Sequence, residues 1–123
     1  MPVGMSTVHS TAAVFFALGD ESRLAVLRKL SMGAALSATV LAEGAPVTRQ
    51  AIVKHLQVLA AAGLVIHHRQ GREVLYALER RRLDEARDFL ETVSAGWDQA
   101  IVRLREMVEK PLPKPRFRTS RRR

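Results

Sequence analysis

Apolar residues recur at helical spacing along much of this chain, and at one point the spacing changes to that of a strand. The sharpest helical stretch follows Pro46. Ile52, Leu56 and Leu59 step by four and three residues and so form one apolar face. Arg49, Gln50, Val53, Lys54 and Gln57 share the opposite face and cluster toward its first half. Thr48 is placed to cap the start by accepting from the amide of Gln50 or Ala51, and Gly63 supplies the left-handed residue that ends the run. The period then falls to two. Val65, His67 and Arg69 alternate with Leu64, Ile66 and His68, Gln70, Gly71 and Arg72 make a short turn, and Glu73 to Leu78 return as a second strand. This predicts a β-hairpin with Arg69 and Arg72 as cations at its tip.

Three further helices flank this pair. Leu36 to Ala45 predicts a short one, with Val40 and Leu41 facing inward and Gly44 near its end. A tight connection from there to Thr48 gives helix, turn, helix. Near the N-terminus, a helix from Val8 to Leu18 carries Val8, Ala12, Phe15 and Phe16 on related positions. Toward the C-terminus Leu83, Ala86, Leu90, Val93, Trp97, Ile101, Leu104 and Val108 step by three or four. A seam of that length exceeds what one small domain covers. Its apolar side is expected to meet a second copy, with Trp97 as central anchor and Gly96 permitting close approach. The alternative is a core within one chain. In a two-fold dimer the two exposed helices sit roughly one DNA turn apart, which predicts an inverted-repeat operator.

The polar face of the Thr48–Gly63 helix has the chemistry of base and phosphate recognition. Arg forks onto guanine, Gln pairs bidentately with adenine, Lys offers a point charge to phosphate, and a valine methyl touches thymine. A polar stripe of this kind is equally the pattern of a solvated helix face. Charges on a hairpin serve equally to keep an edge strand from pairing with other chains. The hairpin directly after the helix tips the balance toward DNA.

Charge distribution adds to this. The net charge is +8, but residues 1–48 carry three basic and three acidic groups, 49–82 carry seven against two, and 83–109 carry three against seven. The candidate reading segment is cationic and the long helix acidic, as expected if the first meets phosphate and the second does not. Residues 110–123 carry seven basic groups and no acidic one, with prolines at 111, 113 and 115. That tail is expected to lack helix and to stay disordered. It serves either as a salt-dependent aid to DNA binding or only as a solubilising end. The domain proper is therefore placed at 1–109 and the tail at 110–123.

Several classes drop out. At 123 residues, 47% apolar and 26% charged, the chain is expected to be one globular domain. It lacks the roughly 18 uninterrupted apolar residues of a membrane span and a basic region ahead of an apolar N-terminal core, so a cytoplasmic location is expected. With no cysteine, disulfides, thiolate metal sites and thiol switches are excluded. No GlyXGlyXXGly, phosphate loop or nucleophile elbow is present, so no enzyme and no cofactor are predicted.

Four segments together carry a family resemblance: Phe15 to Leu27 (FFALGDESRLAVL), Val53 to Leu59 (VKHLQVL), Ala62 to Val65 (AGLV) and Gly71 to Tyr76 (GREVLY). In their order and spacing the chain resembles the ArsR/SmtB family of bacterial repressors. The resemblance implies a mainly α, winged helix-turn-helix fold with the order α1-α2-α3-α4-β-β-α5. It implies a homodimer joined through its first and last helices and bound to double-stranded operator DNA. It places Thr48, Arg49, Gln50, Lys54 and His55 in the recognition helix, and Arg69 to Glu73 at the wing tip. Val53 stands where many relatives have Ser, which favours a thymine methyl contact over a hydroxyl one. Many relatives are switched by metal, through thiolates or through Asp and His pairs on the last helix. Here residues 79–109 hold Asp84, Asp88 and Asp98 but no histidine. Besides His9, His67 and His68 point to opposite strand faces and His55, in the reading helix, is read as a packing or phosphate-contacting residue, so no metal site is predicted. Nothing in the residues points to an effector. The rival class is a winged-helix module for protein or RNA partners, without sequence-specific DNA recognition.

Overall fold

The computed structural model describes residues 3–109, with side chains from residue 10 onward. The basic segment 110–123 lies outside the described residues, as does the side chain of Val8. The elements in order are α1 (Val3–Leu18), α2 (Glu21–Leu30), β1 (Leu36–Ser37), α3 (Ala38–Ala42), α4 (Arg49–Ala61), β2 (Val65–Gln70), β3 (Glu73–Leu78) and α5 (Arg80–Glu109). They fall into two compact units, one through Asp88 and one from Phe89 onward.

The first unit is built on capped helices. Asp20 Oδ2 accepts from the amide of Arg23 at 3.0 Å, Ser37 Oγ from Val40 at 3.2 Å, and Thr48 Oγ1 from Ala51 at 3.1 Å. Each such cap is worth about 1 kcal/mol against Ala, and each fixes where a helix begins. Val14 and Ala17 of α1, Val26, Leu27 and Leu30 of α2, Leu41 of α3, and Ile52, Leu56 and Leu59 of α4 close over one core with Leu64 and Val65. Ala86, in the first turns of α5, completes it. Side chains of other elements clamp the helix ends. Arg23 Nε donates to the carbonyl of Ala17 at 2.6 Å, and Lys29 Nζ to that of Leu41 at 3.0 Å.

The end of α4 follows the expected chemistry. Gly63 has φ 79°, its amide donates to Ala60 at 2.9 Å, and the amide of Leu64 donates to Leu59 at 2.9 Å. These paired bonds satisfy the last carbonyls of the helix and turn the chain sharply into β2. Leu59 and Leu64, brought together by that turn, are both fully buried.

Two sequence-level expectations are corrected. Leu36 and Ser37 do not begin the third helix. They form β1, which pairs antiparallel with β3 (Leu36 with Tyr76, Ser37 with Leu75) and makes a three-stranded sheet of order β1-β3-β2. The Ser37 cap starts α3 at Ala38, so Ala38 and Leu41 face inward and Val40 is 43% exposed. The second correction concerns α1. Thr11, Val14 and Ala17 form its buried face, and Phe15 packs partly against that same core rather than lying outward with the exposed Ala12 and Phe16.

The second unit, as far as it is described, is the continuation of α5. Along it Leu90 is 52%, Val93 50%, Trp97 65% and Leu104 48% exposed, while Ile101 is half-buried. A helix with that much apolar surface in water is short of a partner.

Candidate nucleic-acid interface

α4 buries one face and presents the other. With Ile52, Leu56 and Leu59 fully buried, Arg49, Gln50, Lys54 and Gln57 are exposed and Val53 is half-buried. Thr48, Arg49, Gln50, Val53, Lys54 and Gln57 line one open concavity of about 530 Å³, together with Ala51. The Thr48 cap contributes to this placement, because it sets the first residue of the helix and therefore the rotation of every side chain after it.

Arg49 is held from α3. Its Nε donates to Thr39 Oγ1 at 3.1 Å, one of the five N–H donors of the guanidinium. Among the described residues no carboxylate pairs with Arg49, Lys54, Arg69 or Arg72. The carboxylates that are paired with arginine lie on α5, with Arg80 and Arg87 on Asp84, Arg82 on Glu85 and Arg105 on Glu109.

His55 is turned away from this surface. Its side chain is 20% exposed, and Nδ1 lies 4.0 Å from Asp20 Oδ2 at the start of α2. The Arg23 amide holds the Asp20 carboxyl below its ordinary value against the opposing effect of desolvation, with the charges of Arg23 and His55 acting in the same direction. The pair links the recognition helix to α2 inside the unit.

The hairpin register runs from Val65 with Leu78 to Gln70 with Glu73, leaving Gly71 and Arg72 as a two-residue turn. Gly71 takes φ 67° there, as a hairpin turn with glycine in first position requires. Arg72 is exposed in the turn. Arg69 sits one pair further in, opposite Val74, and lines a second open cleft of about 500 Å³ between α4 and the sheet, shared with Gln57, His67, His68 and Tyr76. The His67 and Tyr76 rings are 5.7 Å apart there.

The structure therefore gathers Thr48, Arg49, Gln50, Val53, Lys54 and Gln57 on one surface, sets Arg69 and Arg72 on the adjoining hairpin, and withdraws His55. Two features escaped sequence reasoning. Thr39 supports Arg49, a role visible only once α3 is known to start at Ala38. His67 and His68 offer no metal site in the sequence, whereas both border the cleft beside the recognition helix. Among the described residues no group of three or more His, Asp or Glu side chains is placed to hold a metal ion. No described helix is long and apolar enough to cross a membrane.

Comparison with known proteins agrees with this geometry. A helix-turn-helix domain family matches residues 18–68. The HTH-type transcriptional regulator Rv2034 of Mycobacterium tuberculosis is 31% identical over 105 residues, covering 85% of this chain and 94% of that protein. An ArsR-like transcriptional regulator from Rhodococcus sp. RHA1 superposes with a TM-score of 0.75 at 39% identity, over 85% of this chain and 98% of the other. The homodimeric winged helix-turn-helix domain of Mb0332 from Mycobacterium bovis shares the fold at 21% identity, with a TM-score of 0.59 over 89% of this chain and 91% of the other. A capped recognition helix, a glycine-turned wing and relatives that match nearly end to end together establish that this chain belongs to the ArsR family of winged helix-turn-helix transcriptional regulators.

Proposed function

We propose that this regulator is a repressor that binds an inverted-repeat operator as a homodimer, with α4 in the major groove and the β2–β3 wing on the flanking backbone. The observation that carries it is the single concave surface of Thr48, Arg49, Gln50, Val53, Lys54 and Gln57, whose cations have no carboxylate partner among the described residues. Arg49 and Gln50 are the base readers, Lys54, Arg69 and Arg72 the phosphate contacts, and Val53 the apolar contact for a thymine methyl. The role is binding rather than catalysis, and it is exercised where the genomic DNA lies, in the cytoplasm.

The dimer is supported by the exposed apolar side of α5, with Leu90, Val93, Trp97 and Leu104 about half exposed or more and Ile101 beside them. The Mycobacterium bovis relative is described as homodimeric. Family dimers use the first helix as well as the last, which gives Ala12 and Phe16 of α1 an interface role.

The test is selection of duplexes from a random pool, followed by competition with random duplex and with a matched RNA. Retention of an inverted repeat against both competitors is the expected result. Equal displacement by random duplex or by RNA would overturn the proposal in favour of a module for another partner.

A further inference from the structure

Docking as proposed above has a geometric consequence for the gap between α4 and the wing, and the inference drawn here rests on that docking. When one element fills the major groove and its neighbour reaches the flanking backbone, the phosphodiester strand bordering the groove passes between them. In this chain that gap is the open cleft of about 500 Å³ walled by Leu56 and Gln57 on one side and by His67, His68, Arg69 and Tyr76 on the other. Gln57 also lines the reading concavity, so the two surfaces are continuous across α4.

The cleft is suited to an anion. No carboxylate lines it. His67 shares one side of the sheet with Arg69 and, across the ladder, with Tyr76, while His68 alternates to the other side; with Gln57 of α4, these neighbours of His67 are cationic or neutral and all able to donate a hydrogen bond. Glu73 lies opposite Gln70 at the hairpin end and is not among the lining residues, and Asp20 is engaged with His55 and Arg23. His67 is exposed. An imidazole titrates at about pH 6.5 when undisturbed, and an adjacent phosphate favours its charged form.

We propose that this cleft seats one backbone phosphate of the operator in each half-site, and that His67 gains proton charge as it binds. Operator affinity is then coupled to pH, rising as pH falls through the histidine range. Arg69 supplies the charge that does not titrate. The coupling is reciprocal, since a group that binds protons more tightly in the complex makes the complex tighter where protons are plentiful.

The experiment uses the full chain and the duplex recovered by selection, with affinity measured by fluorescence anisotropy between about pH 8 and pH 6 at constant ionic strength. Binding about sixfold tighter at the lower pH is expected over this window, the effect of one unit of pKa change on complex formation. The H67Q variant flattens the profile, H67R is flat and tight throughout, and H68Q keeps the wild-type slope. Replacing backbone phosphates one at a time with uncharged methylphosphonate flattens the wild-type profile at one position per half-site. An H67Q variant with the wild-type pH profile, or a methylphosphonate series without such a position, would overturn the inference while leaving DNA recognition intact. A wild-type chain that selects no duplex at either pH would remove the docking itself, and the inference with it.

Discussion

Arg49 and Thr39 join the two helices of the helix-turn-helix: the Arg49 Nε lies 3.1 Å from Thr39 Oγ1. A long side chain at the first turn of α4 is thereby held in place, which lowers the ordering cost of the DNA contact proposed for it.

Thr39→Val removes that support without touching the buried core. Operator binding is expected to weaken by about 0.5–1.5 kcal/mol, the net worth of one hydrogen bond. Arg49→Ala is expected to cost about 1–3 kcal/mol and to relax discrimination at one base pair. Affinities for the selected duplex and its single-base variants, with thermal melting as a check on folding, decide this. A Thr39→Val protein with unchanged affinity would show that Arg49 needs no positioning.

Gln50 and Lys54 share one concavity but should fail differently. Gln50→Ala reduces the preference for the selected sequence over random duplex, because the lost contact is to a base edge. Lys54→Ala weakens both alike and lowers the salt slope of binding by about 1, because the lost contact is to phosphate. Identical behaviour of the two variants across a salt titration would refute this division of labour.

Gly63 carries the end of α4 at φ 79°, and a Cβ there would lie 2.8 Å from Arg82 Cγ. Gly63→Ala is expected to destabilise the protein by about 1–3 kcal/mol, from the left-handed backbone and the clash together. In an Arg82→Ala background only the backbone part remains, so the penalty shrinks. Urea denaturation midpoints of the four proteins measure this. An equal penalty in both backgrounds would show that Arg82 moves aside without cost.

Asp20 gives a pH signature. Its folded carboxyl is held below its ordinary value, chiefly by the Arg23 amide. A depressed carboxylate contributes stability that is present above its unfolded pKa and lost as pH falls through the folded one. Asp20→Asn keeps an acceptor for the amide but cannot titrate. The stability advantage of the wild type over that variant should therefore narrow from about pH 5 downward. A gap that stays constant in that range would mean the charge of Asp20 contributes nothing.

The recognition helix was legible in the sequence because one local rule fixed each of its features: Thr48 the start, Gly63 the stop, and the Ile52-Leu56-Leu59 period the rotation. The register of α3 was not, since a five-residue helix contains too few periods to orient itself. Its phase is set by Ser37, whose neighbour Leu36 is drawn into strand pairing with Tyr76, distant in sequence. The surroundings of Phe15, and the choice between packing and phosphate contact for His55, stayed open in the sequence for a related reason. Helical spacing places a side chain on a face, but what covers that face depends on α2, and only the fold brings Asp20 to within 4.0 Å of His55.

Trp97 tests the homodimer proposed for operator binding. It is 65% exposed in one chain, with Val93 50% and Leu104 48% exposed along the same helix. A tryptophan left this open in a lone subunit and buried in a dimer is the kind of aromatic anchor whose truncation dominates an interface. Trp97→Ala is expected to weaken self-association by at least about 2 kcal/mol, roughly thirtyfold. It should leave the melting of the first unit's core unchanged, since that core is built through Asp88 and does not include Trp97. Sedimentation equilibrium gives the dissociation constant, and operator binding should become steeply dependent on protein concentration. A variant that remains dimeric at nanomolar concentration would place the two-fold contact elsewhere on the chain, and the spacing of the two α4 helices would have to be derived again from that new axis.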